Sequence, residues 1–250
     1  MTRIAIFTDV HANWPALEAA LNAIAPLHCD VLVHVGDTIS IGPYPAETLG
    51  CLLERPDVRL VMGNHDAMFA FGIPRPRPAW MSEGELAHEQ WVHAQLRPAW
   101  REQVAQWPFA LAETWDGVTV TFLHYALDET GRDFVPIVRN PDAAALDTLF
   151  APYPGDLIFY GHHHPFSDVT GQRRYVNPGS LGCHTEAVAR FAILECHEGQ
   201  YRLTHHAVPY DDARLAAAFY EHNVPTREFI WKAFFGGRDW RHKTEPVISE

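Results

Sequence analysis

Seven polar side chains, each placed just after an apolar run, are the residues of this sequence best suited to chemistry. They are Asp9, His11, Asp37, Asn64, His124, His162 and His164. Carboxylate and amide oxygens combined with imidazole nitrogens, without a thiolate, suit hard to borderline divalent metals. Seven ligands exceed the capacity of one tetrahedral site, so two metal ions that share a carboxylate are the better prediction. Two ions about 4 Å apart are a recurrent device of phosphoryl chemistry.

The seven residues are expected to converge because the elements before them are predicted strands of one kind. The apolar runs are Ile4–Phe7, Val31–Val35, Val58–Met62, Val118–Leu123 and Leu157–Tyr160. Helices predicted after an Asn13 N-cap and over Pro45–Leu53 separate the first three runs. Alternating strands and helices predict parallel βαβ units and an α/β fold class. The carboxyl ends of parallel strands meet at one edge of a sheet, where α/β proteins bind ligands.

Residues 71–106 do not continue the alternation of strands and helices. Residues 71–81 contain three prolines and are expected to form no regular element. Residues 82–106 are helix-like, and the segment 71–106 as a whole is a possible cap or insert. Without a repeat or a convincing linker, we expect one domain over residues 1–250.

The sequence after residue 173 predicts a region of α+β type. Short strands, including Ala189–Glu195 and Tyr201–His206, indicate an antiparallel meander. A terminal helix is expected over Asp211–His222, followed by a polar tail at residues 236–250.

Composition limits the partners and the compartment. Lys+Arg 19 against Asp+Glu 31 gives a net charge of −12 at pH 7, which disfavours nucleic acid and anionic membranes. Bound metal reverses the sign of a site locally, so a small phosphate ester remains a suitable substrate. The four cysteines are widely spaced, the chain opens into a strand rather than a leader, and no apolar run approaches about 20 residues. A cytoplasmic protein is expected; the oligomeric state is left open.

The order of the motifs resembles the calcineurin-like metallophosphoesterase superfamily. The motifs are D-x-H at 9–11, G-D at 36–37, G-N-H-D at 63–66, one histidine at 124 and G-H-x-H at 161–164. The stretches G-D-T-I-S-I-G-P at 36–43 and N-P-G-S at 177–180 resemble small prokaryotic phosphodiesterases related to diadenosine tetraphosphatases. This resemblance implies a four-layer αββα sandwich of two mixed sheets, with a dinuclear metal site at the strand ends.

The resemblance also implies a role for each residue. Three ligands are implied for each ion: Asp9, His11 and His164 for the first, and Asn64, His124 and His162 for the second. Asp37 would bridge the two ions, which are Mn, Fe, Zn, Ni or Co. His65 would stay off the metals and aid the leaving group, and Asp66 would orient it. A hydroxide between the ions would attack phosphorus in line with the leaving oxygen.

Three functions follow from the resemblance, in order of preference. The first is hydrolysis of a phosphodiester or dinucleotide polyphosphate, and the second is action on a phosphoprotein or phosphomonoester. The third is a non-catalytic scaffold, as in the retromer subunit that shares this fold. That branch has lost the metal and catalytic residues, whereas this chain keeps all of them.

Several residues near the motifs have less distinctive expectations. Tyr125 replaces a common glycine and is expected to narrow the pocket, whereas His163 is expected to have no role at the site. Asn13 is expected to cap a helix rather than bind substrate, and residues 177–180 to form a supporting turn. Four residues of the segment 71–106 are either substrate-gripping groups or solvated charges and core tryptophans: Arg75, Arg77, Trp80 and Trp91.

Overall fold

Helices cover two mixed five-stranded sheets that pack face to face. The structure, a computed structural model, describes residues 1–131 and 133–238. The predicted α/β class and αββα layering are confirmed. Residues 239–250 of the predicted tail lie outside the described residues.

The described part of the chain contains ten strands. They are β1 (Thr2–Phe7), β2 (Val31–His34), β3 (Val58–Leu60), β4 (Ala110–Trp115), β5 (Val118–Leu123), β6 (Leu157–Tyr160), β7 (Ser167–Thr170), β8 (Arg174–Asn177), β9 (Val188–His197) and β10 (Gln200–Pro209). The first sheet has the order β10-β9-β1-β2-β3 and the second β4-β5-β6-β8-β7. In the first sheet β1, β2 and β3 are parallel, and in the second β5, β6 and β8 are parallel. The remaining neighbours, β1–β9, β9–β10, β4–β5 and β7–β8, are antiparallel.

Eight α-helices lie in the described residues. They are α1 (Trp14–Ile24), α2 (Pro45–Leu53), α3 (Asn64–Phe71), α4 (Glu83–Gln95), α5 (Trp100–Val104), α6 (Ala143–Leu149), α7 (Asp212–Glu221) and α8 (Arg227–Phe234). The side chain of Asn13 caps α1, as predicted, by accepting the Ala16 N–H at 3.1 Å. Because α8 follows α7, the helix predicted as terminal is not the last helix.

Strand β1 shows how the layers are built. Successive side chains of a strand point to opposite faces. Ile4 and Ile6 enter the core between the two sheets, whereas Ala5 and Phe7 face the layer that contains α1 and α7. All four are fully buried. Burial on both faces explains the continuous apolar run that predicted this strand.

The expected meander is a single long hairpin. β9 and β10 are ten residues each and pair antiparallel from Gln200–His197 to Pro209–Val188. β9 also pairs with β1, so the end of the chain completes the sheet that its beginning starts.

The segment 71–106 packs beside the first sheet. Residues 72–81 of the predicted irregular segment 71–81 form no helix or strand, whereas Phe71 is the last residue of α3. Helices α4 and α5 follow. Val92, Leu96 and Val104 join a buried cluster with residues of α2 and α3. Within residues 1–131 and 133–238, no helix has the length and apolarity that crossing a membrane requires.

Candidate metal centre and active site

The structure brings all seven predicted ligands to one edge of the sandwich. Those after β1, β2 and β3 come from the first sheet, and those after β5 and β6 from the second. An isolated bridge between Thr8 and Ser180 joins the two sheets at this edge. The site therefore lies at the seam between the sheets, where the carboxyl ends of parallel strands from both halves meet.

His11 is the centre of one donor group. Its Nε2 lies 3.6 Å from Asp9 Oδ1, 3.7 Å from Asp37 Oδ2 and 3.0 Å from His164 Nε2. Its Nδ1 faces the Ile39 carbonyl at 3.3 Å, which favours a proton on Nδ1 and a lone pair on Nε2. The lone pair of His11 is thus directed towards two carboxylates and another imidazole.

His124 is the centre of a second group. Its Nε2 lies 3.1 Å from Asp37 Oδ2 and 3.2 Å from Asn64 Oδ1. Its Nδ1 is 2.9 Å from the Val35 carbonyl and donates to it, so Nε2 is the nitrogen that a metal would bind. His162 completes this group, because its ligand atom and those of Asp37 and His124 all lie within 4.8 Å of one another.

The two groups fit divalent cations. Carboxylate oxygens and imidazole nitrogens face one another at contact distance in a buried site, where polar atoms need partners. A cation bound between them would contact all of them at once. Asp37 belongs to both groups, with Oδ2 near Nε2 of His11 and of His124. Asp9 and Asp37 are at most 2% exposed.

Left-handed backbone conformations recur among the predicted ligands. Asp9, His11, Asp37 and His162 have φ of 52°, 48°, 59° and 66°. Non-glycine residues rarely adopt such angles, and they cluster at functional sites where the surroundings enforce them. The sharp turns after these strands direct consecutive polar side chains into the same space.

At this site, burial and the neighbouring charges shift the pKa values of the side chains in opposite directions. Burial by itself would raise the pKa of Asp9 and of Asp37, but the neighbouring histidines hold both well below their usual range. Burial opposes a charge on His124, yet Asp37 raises its pKa to about 9. Burial lowers the pKa of His162 to about 4 and that of His164 to about 3. These last two imidazoles are neutral at pH 7, which is the form that binds metals.

His65 lies beside the donor groups at the start of α3. Its ring stands edge-on to that of His11, with centroids 5.4 Å apart, and its backbone N–H donates to Asp37 Oδ1 at 3.0 Å. One of its ring nitrogens falls within the 4.8 Å group of His11 and Asp37. Its predicted position off the metals therefore stays a prediction.

The partner of His65 differs from the prediction. The carboxylate that contacts its ring is Glu89, with Oε1 2.7 Å from Nδ1, and not Asp66. Burial opposes a charge on His65, but Glu89 and then Asp37 raise its pKa to about 10. The G-N-H-D motif shows that Asp66 follows His65 in the chain, but it does not show which way the Asp66 side chain points. The motif therefore could not reveal that Asp66 does not contact the His65 ring.

Asp66 organises the backbone instead. Its carboxylate accepts the N–H groups of Gly63, Asp37 and Thr38 at 3.1, 2.8 and 3.1 Å. It therefore ties the start of α3 to the turn that carries Asp37. Burial, together with the charge of Asp37, raises the pKa of Asp66 to about 6.

The supporting turn at residues 177–180 behaves as predicted. Asn177 Nδ2 donates to the carbonyl of His163, and the Ser180 hydroxyl accepts the Cys183 N–H at 2.8 Å. Asn13 Nδ2 donates to the Gly182 carbonyl at 2.7 Å and its Oδ1 caps α1, so both polar atoms of the side chain bind the scaffold.

Aromatic rings form one wall of the site. Tyr125 is buried, its ring centroid lies 5.3 Å from that of His162, and its hydroxyl accepts the Val138 N–H at 2.9 Å. Phe134 stacks on His162 at 5.9 Å and stands edge-on to His124 at 5.6 Å. Phe134 was missed because the loop that carries it has no motif.

Three of the four residues considered for a cap have different surroundings. Trp91 stacks on His88 at 6.0 Å among core residues, whereas Trp80 is 67% exposed. Arg77 donates to the Met81 carbonyl within its own loop. For Trp91, the alternative of a core tryptophan is the one that the structure supports.

Comparison with known families identifies the class of protein. A sequence model of the calcineurin-like phosphoesterase superfamily domain matches residues 2–199. The chain therefore belongs to this superfamily and is a hydrolase that acts on phosphoric ester bonds. Enzymes of this family use divalent metals, and the groups around His11 and His124 are able to bind them.

Individual relatives are distant in sequence. The chain is 24% identical to an uncharacterized protein of Methanocaldococcus jannaschii, over 94% of this chain and 98% of that relative. Its fold is similar to that of a hypothetical protein from Pyrococcus horikoshii OT3, with a TM-score of 0.78, 18% identity, and coverage of 96% and 100% of the two chains. It is also similar to a metallophosphoesterase from Sphaerobacter thermophilus, with a TM-score of 0.69, 24% identity, and coverage of 90% and 95%. The two solved structures support the fold.

Proposed function

We propose that this chain hydrolyses small phosphodiesters or dinucleotide polyphosphates at a site that holds two divalent ions. The observation that carries the proposal is the position of Asp37 Oδ2, which is 3.7 Å from Nε2 of His11 and 3.1 Å from Nε2 of His124. A carboxylate shared between two imidazole groups is suited to bridging a pair of cations.

Each ion would have its own set of protein ligands. Asp9, His11 and His164 would bind the first, Asn64, His124 and His162 the second, and Asp37 both. Mn, Fe, Zn, Ni and Co all suit this set of oxygen and nitrogen donors. Bound ions would neutralise the phosphate charge and activate a water molecule for attack on phosphorus.

The protein's own residues would complete the reaction. Glu89 holds the Nδ1 side of His65, so the opposite nitrogen is the one available to donate a proton to the leaving oxygen. Asp66 would act indirectly, by holding the backbone that carries Asp37. The aromatic wall of Tyr125 and Phe134 would limit the room beside the second ion.

Small substrates are preferred for electrostatic reasons. The net charge of −12 repels extended polyanions outside the metal centre, which disfavours nucleic acid. A phosphopeptide or phosphomonoester is the second candidate substrate. The four free thiols suit a reducing compartment, and we propose a cytoplasmic location.

Turnover of matched substrates tests this proposal. Protein loaded with Mn²⁺, Co²⁺ or Ni²⁺ is assayed with a chromogenic phosphodiester, diadenosine tetraphosphate and a phosphopeptide. We expect the first two to be hydrolysed faster than the third. Faster phosphopeptide hydrolysis would select the second candidate. Protein that binds two ions and hydrolyses none of the three would contradict the proposal.

A further inference from the structure

Helix α4 holds the loop after β2 through two neighbouring side chains. Nε2 of His88 accepts the N–H of Ile41 at 2.8 Å, and Oε2 of Glu89 accepts the hydroxyl of Ser40 at 2.9 Å. Ser40 and Ile41 have φ of 68° and 64°, which is unusual for any residue other than glycine and most of all for a β-branched one. Such a conformation persists where the surroundings enforce it.

Both oxygens of Glu89 are engaged although the side chain is 3% exposed. One accepts from Ser40, and the other lies 2.7 Å from Nδ1 of His65. Because an ionised carboxylate only accepts hydrogen bonds, Nδ1 of His65 must carry the proton of this pair. The tautomer and the direction of the ring are thereby fixed, and Nε2 is left for a ligand.

Asp66, the carboxylate of the G-N-H-D motif, does not contact the His65 ring as Glu89 does. The oxygens of Asp66 accept three backbone N–H groups, those of Gly63, Asp37 and Thr38. The segment 71–106 thus supplies a buried acid to His65 from outside the five motifs.

We propose that Glu89 is the positioning residue of His65, and that Ser40 in turn holds Glu89. This inference rests on the proposed function, in which His65 protonates the leaving group. As the P–O bond breaks, its electron pair stays on the leaving oxygen, which takes the proton from Nε2. The imidazole becomes neutral while its Nδ1–H stays donated to Glu89. The proton released by the attacking water balances the one that Nε2 gives up.

Leaving-group dependence separates this role from a general structural one. Two phosphodiesters of equal charge are compared. The p-nitrophenyl ester releases a phenolate that needs no protonation, whereas the dialkyl ester releases an alkoxide that must be protonated as it leaves. General acid catalysis contributes about 10²–10⁴-fold to a rate. For Glu89→Ala we expect the kcat on the dialkyl ester to fall by about 100-fold or more, and that on the nitrophenyl ester by less than about tenfold.

Two further variants keep the test decisive. Glu89→Gln preserves the volume and an acceptor oxygen, and is expected to show the same preference to a smaller extent if Glu89→Ala does not fold. Glu83→Ala removes an exposed acid from the same helix and should leave both rates unchanged. The hydrogen-bonded Nδ1 proton of His65, observed by ¹⁵N-edited NMR in wild-type protein, should disappear in Glu89→Ala.

The outcomes distinguish the positioning role from the proposed function. Equal losses on both esters, or no loss on either, would overturn the role of Glu89 while leaving the hydrolase assignment intact. A wild-type protein that binds two ions but cleaves neither ester would contradict the proposed function, and the positioning role with it.

Discussion

The hydroxyl of Ser180 donates a hydrogen bond of 2.8 Å to the backbone carbonyl of Asp9, across 171 residues of sequence. Thr8 and Ser180 also form a parallel bridge at the same point. The turn after β8 in the second sheet therefore fixes the backbone of a predicted ligand that follows β1 in the first. The geometry of the candidate metal centre depends on the alignment of the two sheets.

Replacement of His65 by alanine tests its predicted position off the metals. We expect turnover of a dialkyl phosphodiester to fall by about 10²–10⁴-fold, because the proton donor is lost. Metal content, measured by mass spectrometry, should remain that of the wild type. His163→Ala is the control, since this side chain was predicted to have no role, and it should leave turnover unchanged. Loss of metal from His65→Ala would make His65 a ligand.

Metal binding should release protons in a predictable number. The pKa of His124 is raised to about 9, so below pH 9 the metal-free imidazole carries a proton that a cation must displace. His162 and His164 are neutral at pH 7 and release none. We expect these three histidines to release about one proton at pH 7, and metal affinity to weaken as the pH falls. Calorimetric titration in buffers of different ionisation enthalpy measures this number, and a value of zero would be inconsistent with His124 as a ligand.

A methyl group at Gly63 should disturb the predicted bridging residue. An added Cβ would lie 2.9 Å from Cγ of Asp37 and closer still to its Oδ1 and its backbone N. Because φ of Gly63 is −94°, alanine suits the backbone angle, and the disturbance comes from the close contact with the backbone and side chain of Asp37. A displacement of about 1 Å at a reacting centre costs about 100-fold in rate, so we expect a loss of that size together with reduced metal content.

The control for that variant is Gly50→Ala in α2. An added Cβ there meets only the tip of the Trp100 ring, at 3.1 Å. Its turnover and metal content should match those of the wild type. Unchanged metal content in Gly63→Ala, with the fold retained by circular dichroism, would show that Asp37 tolerates the shift.

A cluster away from the site should contribute a pH-dependent part of stability. Asp168 accepts two hydrogen bonds of 2.8 Å from Arg174 and lies 2.8 Å from Nε2 of His205 on the other sheet. Burial opposes its ionisation, but hydrogen bonds with Arg174 and His205 lower the pKa of Asp168 below 3.8. The contribution is therefore present above the unfolded pKa and is lost as the pH falls through the lower folded value.

Asp168→Asn should accordingly destabilise the protein at pH 7 and not in strong acid. We expect the free energy of unfolding to drop by about 1–3 kcal/mol at pH 7, as for hydrogen bonds with a charged partner. The difference from wild type should shrink as the pH approaches 3. Urea unfolding at several pH values measures it, and a difference that does not vary with pH would exclude the ionised carboxylate as its source.

The sequence predicts the strand ends much better than it predicts what packs against them. The helix Pro45–Leu53 and the strands Val118–Leu123 and Leu157–Tyr160 have the predicted bounds, because their apolar runs are short and clearly bounded. Strand β4, whose residues alternate between exposed and half-buried, has no such run and was missed. The local sequence pattern therefore predicts the bounds of an element best where successive residues are all buried.

Glu89 illustrates the part of the site that local pattern does not contain. It meets His65 from a helix 24 residues further along the chain, through packing that no motif spacing encodes. The signal in the sequence was indirect: an acid in the helix-like segment 82–106, with His88 beside it and His93 one turn later. A buried charge requires a partner, but its identity becomes known only from the tertiary structure.

The pairing of β1 with β9 has a consequence for the order in which the protein is made. β1 contacts β2 on one side within the first 34 residues, but its other side pairs with residues 192–196. An apolar strand with an open edge is a template for unwanted association. During synthesis, β1 therefore stays open on one side until the ribosome has translated most of the chain, and arrival of the β9–β10 hairpin closes it. Chains truncated between residues 165 and 191 would carry every predicted ligand and would still expose this apolar edge to aggregation.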